Sequence, residues 1–159
     1  RFSLSEEELT NVVRLSGGDY LRALELVREE EENRKHLKWY TTMMRMSYAK
    51  NLPAILAWVD EISGCEKEIQ KEFLQYAMRM TRENLLAGMM PEFRNEMVFM
   101  SREEEDFSER FSAFVHPGNI EEISRELNLA IRHIEANAYS RVVFCDLCLK
   151  LMKLIYRQN

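Results

Sequence analysis

From Leu37 to Ile155 the apolar side chains of this chain return every three or four residues, and no segment alternates apolar with polar. Spacing of three and four lines side chains up on one face of an α-helix, whereas a half-buried strand needs a period of two. The first line is Leu37, Tyr40, Met44 and Tyr48, widened by Trp39, Met43 and Met46. Ile55, Leu56, Val59 and Ile62 make the second. Ile69, Phe73, Ala77 and Met80 make the third, with Leu74, Met78, Leu85 and Leu86 beside them. Phe107, Phe111 and Phe114 come next, an aromatic stripe at core spacing, and Ile120, Ile123, Leu127, Ile131 and Ile134 keep strict helical register. The pattern predicts an all-α fold, a helical bundle.

Starting and stopping residues sit where these lines need them. Ser5-Glu6-Glu7-Glu8 is a capping box, with Leu4 and Leu9 placed for a hydrophobic staple across it. Gly17-Gly18 stops that helix and Asp19 is placed to cap the next. Arg22 falls in the first turn of the new helix, ahead of Ala23, Leu24 and Val27. Glu29 to Glu32 are four adjacent carboxylates that cannot enter a core, so a solvated helix end and a domain boundary are expected there, between residues 32 and 33. Asn51-Leu52-Pro53 is a cap with an early-turn proline, Ser63-Gly64 a stop, and Pro91 the end of a long helix from about residue 66. Met97 to Met100 is an apolar patch in a weak segment, and Ser101-Arg102-Glu103-Glu104 is a second capping box. His116-Pro117-Gly118 breaks the chain once more, with Asn119 expected to cap the helix that begins at Ile120.

Residues 139–156 differ from the rest. Their run of Val142, Val143, Phe144, Cys145, Leu147, Cys148, Leu149, Leu151, Met152, Leu154 and Ile155 leaves little polar face. Such a helix is covered on most sides, either at the centre of the bundle or against a neighbouring chain. Val143, Leu147, Leu151, Leu154 and Ile155 are the candidate interface residues.

Charge and composition narrow the function. A net charge of -5 argues against a dedicated nucleic-acid-binding domain, which carries a basic face. No apolar run approaches the roughly 18 residues that span a bilayer. The chain opens Arg1-Phe2-Ser3, without an initiator methionine or a signal-like segment, and is expected to be a piece of a longer protein. Three cysteines, Cys65, Cys145 and Cys148, make no disulfide framework, and the reducing cytoplasm is the expected compartment.

No catalytic, cofactor or metal site is expected. The chain has no Gly-rich phosphate loop, so it does not hydrolyse ATP by that route. His36, His116 and His133 are spread over three segments and match neither the Glu-x-x-His nor the His-Glu-x-x-His spacing. Cys145-Asp146-Leu147-Cys148 has the spacing of zinc ribbons and redox pairs, but lies in an apolar helix with one further cysteine in the chain, a setting for packing.

The run Gly18-Asp19-Tyr20-Leu21-Arg22-Ala23-Leu24, preceded by Val12-Val13-Arg14-Leu15-Ser16-Gly17, resembles the end of the helical lid domain of an AAA+ ATPase. It is most similar to the clamp-loader subunits of bacterial DNA polymerase III, of the delta-prime kind and the bacteroidete type. The resemblance implies a division into a lid remnant over residues 1–32 and a helical collar over residues 33–159. It implies a non-catalytic assembly module that holds the clamp-loader subunits together for loading the sliding clamp onto primed DNA. The implied partners are the gamma/tau and delta subunits, met through the collar, with no direct contact to nucleic acid or membrane. Arg22 matches the arginine called sensor 2 in that family, which reaches nucleotide phosphates in subunits that hold ATP; delta-prime subunits commonly lack working ATP sites, and no cofactor is implied here. The alternative from a different class is a helix-turn-helix DNA-binding regulator reading with residues 5–29, against which Glu25 and Glu29 to Glu32 would repel phosphates.

Overall fold

The computed structural model describes residues 5–93 and 100–156, and the regular structure among them is entirely helical. Seven α-helices run in the order α1 (Glu6–Ser16), α2 (Tyr20–Ala49), α3 (Leu52–Ser63), α4 (Lys67–Met89), α5 (Arg102–Phe111), α6 (Ile120–Glu135) and α7 (Ser140–Leu154). Short 3₁₀ turns at Pro91–Phe93 and Ser112–Phe114 come after α4 and α5. The chain divides into two compact units, Arg1–Lys38 and Trp39–Asn159. The Leu4–Leu9 staple and most of the Met97 to Met100 patch depend on residues outside those described.

In the first unit the local chemistry of the sequence is realised closely. Ser5 caps α1, its Oγ accepting from Glu8 N–H at 3.3 Å while Ser5 N–H donates to Glu8 Oε2 at 2.7 Å. Gly17 ends the helix at φ 60°, the left-handed conformation that glycine adopts without steric cost. Asp19 Oδ1 then accepts from the N–H groups of Leu21 (2.9 Å) and Arg22 (3.4 Å) and so opens α2. An ion pair of Arg34 with Glu8 joins α2 to α1.

The helix end expected at Glu29 to Glu32 does not occur: α2 continues through all four carboxylates to Ala49. Glutamate is a good helix former, and extending an existing helix costs far less than starting one. Glu29, Glu31 and Glu32 are exposed, where water and salt screen their repulsion, so four adjacent charges mark a wet face and not a stop.

In the second unit, α4 is the helix around which the others pack. α6 lies along it, α5 and the Ser112–Phe114 turn lean on it, and α7 packs on both α6 and α3. Lys67 at the start of α4 donates to the Glu135 carbonyl (3.1 Å) and to Asn137 Oδ1 (2.8 Å) at the end of α6, so these two helices run antiparallel. The core is aromatic at its centre. Phe73 meets Trp39 and Trp58 edge-on at 5.7 Å each, Trp58 meets Phe144 at 5.9 Å, and Tyr40 meets Phe107 at 5.7 Å. Met43, Met44, Met80, Ile123, Leu127 and Ile134 fill the space around these rings and are fully buried.

Polar residues on α4 also enter this core. Gln70 is buried, its Nε2 donating to the carbonyls of Ile62, Ser63 and Cys65 and its Oε1 accepting from Ser140 Oγ at 2.8 Å. One amide therefore closes the end of α3 and fixes the start of α7, satisfying carbonyls that a helix end leaves open. Arg79 holds buried Glu104 through two contacts of 3.2 Å and lies 5.0 Å over the Tyr76 ring, fastening α5 to α4.

Candidate interface at the end of the last helix

α7 is not the central helix of the bundle: it packs on α6 and α3 along one face, burying Val143, Phe144, Leu147, Cys148 and Leu151, and this decides what its side chains can touch. Of the five candidate interface residues, Val143, Leu147, Leu151 and Ile155 are buried among the chain's own helices, and Leu154 is half-buried. A side chain already packed inside its own unit offers no surface to a neighbour. The outward apolar residues of α7 are instead Val142 and Leu149, with Met152 half-buried and Tyr156 exposed just beyond the helix end. The polar residues of this helix, Arg141, Asp146, Lys150 and Lys153, lie on the same outward side.

Leu149 and Met152 form the floor of an open groove of about 770 Å³, together with Ile155. Tyr48 and Lys50, at the end of α2, form one wall, and Lys153 and Tyr156 the other. Lys50 sits at φ 55°, with its N–H on the Ser47 carbonyl (3.2 Å) and the Asn51 N–H on Met46 (3.1 Å). This is a Schellman ending in which a lysine holds the position glycine usually takes. Both lysines are exposed, and among the described residues neither makes an ion pair. Lys150, one turn before Lys153, differs: Glu126 at 3.0 Å and Asp146 at 2.9 Å hold it, and both bonds raise its pKa.

The groove's second wall is anchored by the turn at residues 116–119. Asn119, expected to cap α6, makes no such bond. Its Nδ2 donates to the carbonyls of Phe114 (2.8 Å) and Leu154 (2.9 Å), and its Oδ1 accepts from His116 N–H at 3.0 Å. His116 Nδ1 accepts from Gly118 N–H at 3.2 Å, which leaves Nε2 to carry the proton toward the Tyr156 carbonyl, 3.3 Å away. The His116 and Tyr156 rings meet edge-on at 4.7 Å. On the opposite wall Tyr48 rests on Phe114 at 4.6 Å.

The other residues singled out by sequence lie apart from this groove. Arg22 makes an exposed pair with Glu25 at 3.3 Å. Cys148 is buried, and burial pushes its thiol up to about 12, with Cys145 adding to the rise. All three cysteines are free thiols. Burial lowers the pKa of His36, against the pull of Glu32. Among the described residues no group of three or more His, Cys, Asp or Glu is placed to hold a metal, and no helix is long and apolar enough to cross a membrane. Set against protein-family models, curated proteins and solved structures, the chain finds no significant match in any of the three.

Proposed function

We propose that this chain is a non-catalytic assembly module, the collar of a bacterial clamp-loader subunit of the delta-prime kind, with a lid remnant before it. The observation that carries the reading is the outer side of the α3–α7 pair. Leu56, one turn before Asp60 on α3, and Val142, next to Arg141 on α7, are exposed, and Arg141 pairs with Asp60 at 3.2 Å. Large apolar residues clustered around a polar pair have the make-up of a protein contact, and a stable one covers about 800 Å² on each partner. An assembly role needs no reacting group, in keeping with the absence of a phosphate loop from the sequence. The gamma/tau and delta subunits are the partners this reading names, and the cytoplasm its compartment.

Co-elution of the chain with those subunits in size exclusion is the test. Association at micromolar concentration, lost in a Leu56→Glu, Val142→Glu double variant that still folds, is the expected result. Failure to associate with any of them overturns the reading.

A further inference from the structure

We propose that the groove between the end of α2 and the end of α7 is a docking site for a short segment of another protein chain in which apolar side chains are flanked by carboxylates. Three observations converge on that occupant. The floor is apolar, made by Leu149, Met152 and Ile155, and the volume of about 770 Å³ falls within the range of roughly 300–1,000 Å³ that seats a ligand or a few side chains. A whole helical domain would need a larger and flatter face.

Charge then selects the sign of the partner. The chain as a whole is acidic, at -5, yet among the described residues the groove is lined by two lysines and no carboxylate. Among the described residues Lys50 and Lys153 stand without an ion-pair partner, while Lys150 beside them is held by two. An ammonium left exposed on each wall of an apolar groove is complementary to an acidic and apolar peptide, and steers it into register. Tyr48 and Tyr156 add aromatic lining, a residue type enriched at protein contacts.

The backbone supplies the third observation. Lys50 occupies a left-handed position where glycine would fit without strain. A lysine kept there at a conformational cost is accounted for by what its charge does at the groove.

The proposal stands apart from the assembly reading. Its test is selection of a random-peptide phage library on the full chain, followed by anisotropy titration of the enriched peptide after labelling. Enriched sequences are expected to place Leu, Ile, Phe or Met beside Asp or Glu. Binding is expected to weaken roughly fivefold to tenfold in a Lys50→Gly, Lys153→Gln double variant, and to be lost in Leu149→Asp. Arg125→Gln, on the exposed side of α6, is expected to change nothing. The Lys50→Gly change relieves the backbone, so thermal melting of the double variant stays at or above that of the parent, and weaker binding there is not a folding defect. Enrichment of basic or uncharged sequences, no enriched sequence family, or binding that survives both groove variants overturns the proposal. So does displacement of the peptide by micromolar dodecanoate, which makes the groove a lipid site, or a chain dimer abolished by Leu149→Asp, which makes the occupant a second copy. Peptide binding without co-elution of clamp-loader subunits removes the assembly reading alone; co-elution without peptide selection removes this one alone.

Discussion

Two of the turns that break the helical run of this chain are built by opposite means. The Gly17-Gly18 turn is made within its own few residues: Gly17 adopts the left-handed conformation, Asp19 Oδ1 caps the next helix by accepting from two N–H groups, and Arg22 lies in water against Glu25. The turn at residues 116–119 is made by side chains. His116 and Asn119 are buried and reach into the end of α7, bonding the carbonyls of Leu154 and Tyr156 and so placing one wall of the groove. A turn held by its own few residues can be read from them, whereas a turn held by distant carbonyls depends on what the fold brings to it.

The largest effect expected to sharpen this contrast comes from Asn119→Ala. It strands two carbonyls and one N–H in the interior and is expected to cost about 3 kcal/mol in urea unfolding. A loss below about 1 kcal/mol would mean that water replaces the amide and that the turn is not held by its side chains. Next come the two glycines. A Cβ on Gly118 would lie 3.1 Å from His116 Nδ1 and 3.3 Å from the Tyr156 hydroxyl, so Gly118→Ala is expected to cost about 2 kcal/mol by crowding. Gly17 has nothing within 4 Å of such a Cβ, and Gly17→Ala is expected to cost about 1 kcal/mol, from φ alone. Equal losses at both sites would erase the distinction.

Stability against pH separates the two units from opposite sides. His36 in the first unit has its pKa lowered by burial, so its contribution is complete above its ordinary value of 6.5 and is lost as pH falls below it. Cys148 in the second unit has its pKa raised from 9.0 to about 12, so its contribution is complete below 9 and is lost as pH rises toward 12. That loss amounts to roughly 1 kcal/mol for each pH unit above 9. In His36→Gln the acid limb of a melting-temperature profile is expected to flatten; in Cys148→Ala the alkaline limb flattens by the part the thiol supplies, with buried Tyr40, also pushed up to about 12, and Tyr76, raised further by burial, sustaining part of the rest. An unchanged profile in either variant would contradict the burial assigned to that group. The smallest effect is that of Arg22→Gln, expected to change unfolding by less than about 0.5 kcal/mol because its ion pair is exposed.

Much of the helical layout was legible from residues that act on their immediate neighbours. The Ser5 box, the Asn51 cap with Pro53 behind it, the Ser101 cap and the glycine stop at Gly17 all recur in the structure, because each works within one turn of chain. The same local signals misled where a distant partner outweighed them. Asn119 has the look of a cap and is spent on Leu154, 35 residues away. Gln70 gave no signal at all, since a glutamine in an amphipathic pattern is ordinarily on the wet side, yet it lies in the core between α3 and α7. On α7 the residues expected at an interface are mostly inside, and the groove was missed because its two walls are about a hundred residues apart in the sequence.

The sequence by itself determined that this chain is helical, where most helices begin and end, and that residues 139–156 carry apolar surface that must be buried. Those properties come from period, caps and the free energy of burying apolar area, all of which are local or additive. Only the tertiary structure decided which polar residues enter the core, and that Lys50 and Lys153 stand on opposite walls of one apolar groove. Each of those depends on which helix lies against which, and close packing settles that through shape and through polar groups that must find partners across the chain.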